Sequence, residues 1–259
     1  MENIKGYKIH LIETSNKVNE FINYLIKFNE DNKLKKNKFV SIDFEYTNKN
    51  IHLWQVCFFN KNSDNIVYVI QSRLLDNFME IIKKELLLSK IIKIFHGGES
   101  LDFPYLFSII KEPKLIYKFL KTTFDTRFLC EYYKIIKNTN KLCNVYDAML
   151  YFGAITQEKY DELQKINKKM GPIWRVNWNT IGKNINLLIY TVYDVVYLRK
   201  LLLKIHKKYK EENIIDDFYS LQKINAYVLL KRNKINYPYE LKIDNLEKFK
   251  VIDYYRSIL

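Results

Sequence analysis

Acidic side chains at three places in this chain have types and spacing that can do chemistry together. Asp43 and Glu45 occupy alternate positions of SIDFEYT, inside a run (FVSIDF) otherwise suited to a buried strand. Successive strand side chains alternate faces, so both carboxylates point the same way. Like charges on one face repel, and burying either without a positive partner is costly. Asp102 follows in KIFHGGESLDFPYLF, where an apolar strand ends at His96-Gly97-Gly98 and Ser100 is suited to cap a helix. Pro104 then falls in the first turn, where a missing N–H costs little. At that strand-to-helix junction Asp102 either favours the helix dipole or serves a site. Asp194 lies in NLLIYTVYDVVYLRKLL, a helix apolar almost all round and hence largely buried, with Tyr190 one turn earlier on the same face. A buried carboxylate there needs an internal salt bridge or a bound cation.

Carboxylates converging from Asp43, Glu45, Asp102 and Asp194 can neutralise two divalent cations, and such hard oxygen ligands select magnesium or manganese. Two ions about 3.5–4 Å apart can activate a water and stabilise the leaving oxygen of an in-line phosphoryl displacement. The 259 residues carry a formal net charge of +14, which suits phosphate contacts with a nucleic acid. A coding bias toward Lys, Asn, Ile and Tyr accounts for that charge equally well, so charge alone decides nothing.

The positioning elements follow from periodicity. YKIHLI, 7–12, reads as a strand, and Ser15 as the N-cap of an amphipathic helix running to about Phe28. FVSIDF, IHLWQVCFF and NIVYVI, separated by the polar turns TNKN and NKNSD, predict an antiparallel meander. A helical period from Leu74 and a strand at 91–95 imply that the sheet then turns parallel. Helices are expected over 100–111, 125–137, 144–153, 157–169 and 185–208, with an irregular GPIWRVNW segment before the last. The fold class is α/β: a mixed sheet, meander first and parallel strands after, flanked by helices. A helical extension interrupted at YPYE occupies 209–259.

In order and spacing, Asp43-x-Glu45, Asp102 and Tyr190-x-x-x-Asp194 resemble the motifs of the DEDD superfamily of 3′→5′ exonucleases, which have an RNase H-like fold. The tyrosine resembles that of the DEDDy subgroup, and the chain looks similar to the ribonuclease D-like proteins within it. Local echoes are KIFHG before the second motif, WQVCF after the first, FDT at 124–126, the NVYDAMLYFG helix and the tryptophans near 174–178. The resemblance covers about residues 1–208, which are expected to form the exonuclease domain, while 209–259 is too short for the helical nucleic-acid-binding domain of ribonuclease D. It implies Asp43, Glu45, Asp102 and Asp194 as ligands of two Mg or Mn ions and Tyr190 as the residue that orients the attacking water. The implied activity is removal of nucleoside 5′-monophosphates from single-stranded 3′ ends of RNA or DNA. A catalytically inactive binding module or adaptor on the same fold is the alternative.

Tyr46, His52 and Trp54 are candidates for contact with terminal bases, although Trp54 suits the core as well. His96 and Arg175 are further substrate-binding candidates, His96 equally suiting a turn residue that satisfies backbone groups. The extension can pack on the core, form a dimer contact, or grip substrate through Lys223, Lys231 and Arg232. Three scattered cysteines without a C-x-x-C pair argue against a disulfide framework or zinc cluster and for a reducing compartment. With no signal-peptide core and no apolar run of about 18 residues, a soluble, intracellular protein without a membrane partner is expected.

Overall fold

A computed structural model describes residues 3–4, 6–31, 38–59, 65–140, 142–171 and 176–259. The strands are β1 (Asn3–Ile4), β2 (Tyr7–Ile12), β3 (Phe39–Thr47), β4 (Asn50–Phe58), β5 (Asn65–Gln71), β6 (Ile92–Phe95) and β7 (Thr123–Asp125). The helices are α1 (Ser15–Glu30), α2 (Met79–Ile82), α3 (Asp102–Ile110), α4 (Pro113–Leu120), α5 (Thr126–Ile136) and α6 (Val145–Tyr151). They continue with α7 (Gln157–Met170), α8 (Ile185–Val196), α9 (Leu198–Glu211), α10 (Ile215–Arg232) and α11 (Asp253–Arg256). The chain divides into two compact units, one of residues 1–94 and 156–199, the other of 95–155 and 200–259.

The first unit is built on a mixed sheet in the order β1-β2-β5-β4-β3-β6. The expected meander is present: β3, β4 and β5 pair antiparallel, while β2 joins β5 and β6 joins β3 in parallel. Asn48 and Lys49, both with positive φ, close the tight β3–β4 hairpin, the left-handed pair that suits the twist of the flanking strands. Leu53, Trp54, Val56, Cys57 and Phe58 of β4 are all buried, so this central strand is covered on both faces. On α1 the side chains of Val18, Phe21, Ile22, Leu25 and Phe28 form the buried stripe, and Phe21, Tyr24 and Phe28 meet the rings of Phe58 and Tyr68. Its N-cap is Thr14 rather than Ser15.

The second unit is mainly helical, with β7 as its short strand. The C-terminal segment contributes to its core: Phe218, Leu221, Ile224, Val228 and Leu229 of α10 are buried, as are Phe249 and Tyr255 beyond it. Tyr132 of α5 packs on Phe249 with ring centroids 5.1 Å apart, and Phe128 on Tyr255 at 5.2 Å. Side chains of 209–259 thus pack into the core of this unit. The unit boundaries fall at 94, 155 and 199.

Several expectations are corrected. The helix expected over 185–208 breaks at Tyr197 into α8 and α9, and the helical period from Leu74 is realised as short 3₁₀ turns, α2 and a π-helical stretch over Lys83–Leu87 rather than as one α-helix. α4 and β7 were not foreseen. Leu101, not Ser100, occupies the N-cap of α3, and the Phe103 N–H is satisfied by the Gly98 carbonyl at 2.9 Å. Cys130 of α5 and Cys143 before α6 form a disulfide, against the expectation drawn from the scattered cysteines, while Cys57 is free and buried. The two cysteines are 13 positions apart in sequence. No helix among the described residues is long and apolar enough to cross a membrane.

Candidate metal centre

β3 and α8 place the acids of the first unit. Strand alternation puts Asp43 and Glu45 on one face of β3, with the buried Val40, Ile42 and Phe44 on the other. α8 packs against β3 and β4. It begins where the Asn184 side chain accepts from the Leu187 N–H at 3.2 Å, and the Tyr7 hydroxyl donates to the Val196 carbonyl at its end at 2.8 Å. Leu187, Leu188, Thr191, Val192 and Val195 form its buried face. So held, α8 brings Asp194 to the strand acids: one carboxylate oxygen from each of Asp43, Glu45 and Asp194 lies within 4.8 Å of the others.

The electrostatics follow from that convergence. Burial pushes the Asp43 carboxyl up to about 7, with the Phe44 backbone N–H pulling the other way. The Tyr190 hydroxyl is driven far above its ordinary range, first by burial and then by the negative charges of Asp194, Glu45 and Asp43. It hydrogen-bonds the Asp194 carboxylate one turn along the helix. Tyr190 therefore keeps its proton and is a donor at the edge of an anionic cluster. The Glu45 Oε1 accepts from the Gln55 Nε2 at 2.9 Å, across the strand pair. Three hard carboxylate oxygens without sulfur or imidazole suit a divalent cation of the magnesium or manganese type.

Asp102 belongs to the second unit, where it is the first residue of α3 and is buried. The turn that carries it is tightly held. The Asp125 carboxylate accepts from the backbone N–H of Gly97 at 2.9 Å, of Gly98 at 3.0 Å and of Arg127 at 2.9 Å. Gly97 has φ +78, and a Cβ on Gly98 would lie 3.2 Å from the Asp102 Cβ and Oδ2. Glycine is favoured at the first by backbone conformation, and at the second a Cβ would press on the Asp102 side chain.

The substrate-binding candidates fare unequally. Tyr46 and His52 are half-buried near the β3–β4 hairpin, with a register shift between Glu45 and Tyr46. Trp54 is fully buried, edge-on to Phe44 at 4.8 Å, and offers no face to a base; this corrects its candidacy. His96 serves its turn: Nε2 donates to the Cys143 carbonyl at 2.7 Å, Nδ1 lies 2.8 Å from Thr126 Oγ1, and burial lowers its pKa. Both ring nitrogens are engaged, which corrects the substrate contact in favour of the turn role. Arg175 and Trp174 lie outside the described residues. Two residues were missed as supports of the acids, Gln55 and the carboxylate of Asp125. The signal for each was a polar side chain in a short run of otherwise buried type.

No protein-family model matches the chain. Protein L533 of Acanthamoeba polyphaga mimivirus is 32% identical over 247 residues, covering 86% of this chain and 49% of L533. The chain thus spans about half the length of that relative. Among solved structures, the catalytic core of RRP6 from Trypanosoma brucei superposes with a TM-score of 0.55 at 13% identity, over 88% of this chain and 51% of that one. A nuclease in its apo form gives 0.53 at 15% identity, over 90% and 93%. NrnC of Brucella melitensis gives 0.53 at 15%, over 88% and 92%. The fold is that of RNase H-like nucleases, a mixed sheet flanked by helices.

Proposed function

We propose that the protein is a metal-dependent nuclease acting as a 3′→5′ exonuclease on single-stranded RNA or DNA, of the DEDDy, ribonuclease D-like type. The observation that carries this reading is the meeting of Asp43, Glu45 and Asp194 within 4.8 Å, with the Tyr190 hydroxyl bound to Asp194. Asp43, Glu45 and Asp194 would hold Mg or Mn, two ions in the full reading, and Asp102 joins them as a ligand on the strength of its sequence motif. When bound, the ions supply charge neutralisation at the phosphate and a more acidic water.

The chain's own residues have separable roles. The carboxylates keep the site anionic until a cation enters, and Glu45 is held in place from β4. Tyr190 retains its proton and can donate to a water or a phosphate oxygen beside Asp194. In the reaction, water adds to the terminal phosphorus, the bond to the preceding 3′ oxygen breaks, and that oxygen leaves with a proton. The products are a nucleoside 5′-monophosphate and a shortened strand. Residues 1–208 carry this activity in our reading.

The test is a 5′-labelled single strand incubated with magnesium or manganese. Stepwise shortening that EDTA stops, and that Asp194→Asn abolishes, is the expected result. Strands that are bound but left intact with either metal would instead support the inactive binding module.

A further inference from the structure

Gln55 lies at the centre of β4 among Leu53, Trp54, Val56 and Cys57, and every one of these side chains is 0% exposed. A primary amide in such surroundings costs free energy unless its donors are used. Its register partner on β3 is Asp43, and directly paired residues share a face, so Gln55 stands on the face that carries Asp43 and Glu45. Its Nε2 donates to Glu45 Oε1 at 2.9 Å, with both side chains buried.

The choice of an uncharged donor matters. A lysine or arginine in this place would tie Glu45 into an internal salt bridge and cancel the charge that attracts a cation. An apolar residue would pack well and leave the carboxylate without that bond. Glutamine alone among these alternatives orients the carboxylate and preserves its charge. We infer that Gln55 is a positioning residue of the acid cluster: it fixes Oε1 and the rotamer of Glu45 so that the carboxylate is set for a divalent cation. This inference rests on the metal-site reading above. Hydrogen-bond partners of metal-binding carboxylates typically alter affinity or activity by about 10–100-fold when removed.

Gln55→Leu and Gln55→Met both remove the donor while keeping bulk. Manganese affinity of the full chain is measured by electron paramagnetic resonance, beside the manganese dependence of strand cleavage and the melting temperature in EDTA. Affinity is expected to fall about 10–100-fold in both variants, with cleavage recovering toward the parent rate as manganese is raised. Because two variants are used, a folding failure in one leaves the other to report. Should a variant fold and bind manganese within twofold of the parent, or should only the melting temperature fall, the positioning role is overturned. Should the parent itself bind no manganese, the metal-site reading falls and this inference with it. Those two failures are told apart by the parent alone.

Discussion

The two units treat their buried carboxylates in opposite ways. In the second unit those of Asp125 and Asp217 are turned toward donors. Asp125 accepts from the N–H groups of Gly97, Gly98 and Arg127, and Asp217 takes the Tyr132 hydroxyl at 2.6 Å together with the Lys248 ammonium. Glu99 and Glu131 share the Arg127 guanidinium at 2.7 and 2.8 Å. In the first unit Asp43, Glu45 and Asp194 are turned toward one another. A carboxylate surrounded by donors stabilises a fold, whereas carboxylates gathered together raise its free energy until something positive arrives. The same residue types are thus structural in one unit and suited to a site in the other.

The sharpest break of this contrast is substitution at the cluster. Asp194→Asn or Asp43→Asn should reduce metal-dependent cleavage by roughly a thousand-fold, the effect of losing several kcal/mol of charge stabilisation. Either should leave the melting temperature in EDTA equal or higher, since a repulsive charge is gone. A variant that cleaves like the parent, or unfolds, would place these acids with the structural ones. Asp125→Ala should do the reverse, lowering stability to urea unfolding by about 2–4 kcal/mol through the N–H groups it strands.

Tyr190→Phe sharpens the comparison within the cluster. Its cleavage rate should drop about a hundredfold while manganese affinity stays at the parent value, because the hydroxyl donates and does not ligate. A change in affinity with no change in rate would reverse that assignment. The smallest effect is in pH. With the Asp43 carboxyl held up to about 7, the folded chain keeps a proton between about pH 4 and 7 that the unfolded chain has released. Stability therefore falls as pH rises across that window and levels above it. Asp43→Asn should melt with the parent near about pH 4.5 and above it near about pH 8, both in EDTA. An equal difference at both pH values would show that burial does not hold this proton.

The pattern of legibility has a physical reason. β3, β4 and β5 carry strong local signals, alternating or continuous apolar runs bounded by polar turns, and the meander follows from them. The acid pair of β3 was visible because period-two alternation is a local rule, and Asp194 because one charge interrupts an apolar helix. What escaped depends on distant parts of the chain. The Gln55–Glu45 bond exists only once β4 is in register with β3, and Asp125 meets the Gly97-Gly98 turn across 27 or 28 residues. The Cys130–Cys143 disulfide likewise requires the turn between α5 and α6. The break at Tyr197 has no proline or glycine to announce it. Trp54 was ambiguous because a strand covered on both faces gives alternation nothing to report.

The interleaving of the two units has a consequence during synthesis. Strands β3 and β4 leave the ribosome long before α8, and residues 95–155 must be threaded out between them. At about 5–20 residues per second, the 149 positions from Glu45 to Asp194 take roughly seven to thirty seconds. A nascent chain can therefore close its hairpin, with Gln55 already bound to Glu45, while the mutual repulsion of all three acids is still deferred. The helix that brings the last negative charge arrives at a sheet already assembled to receive it.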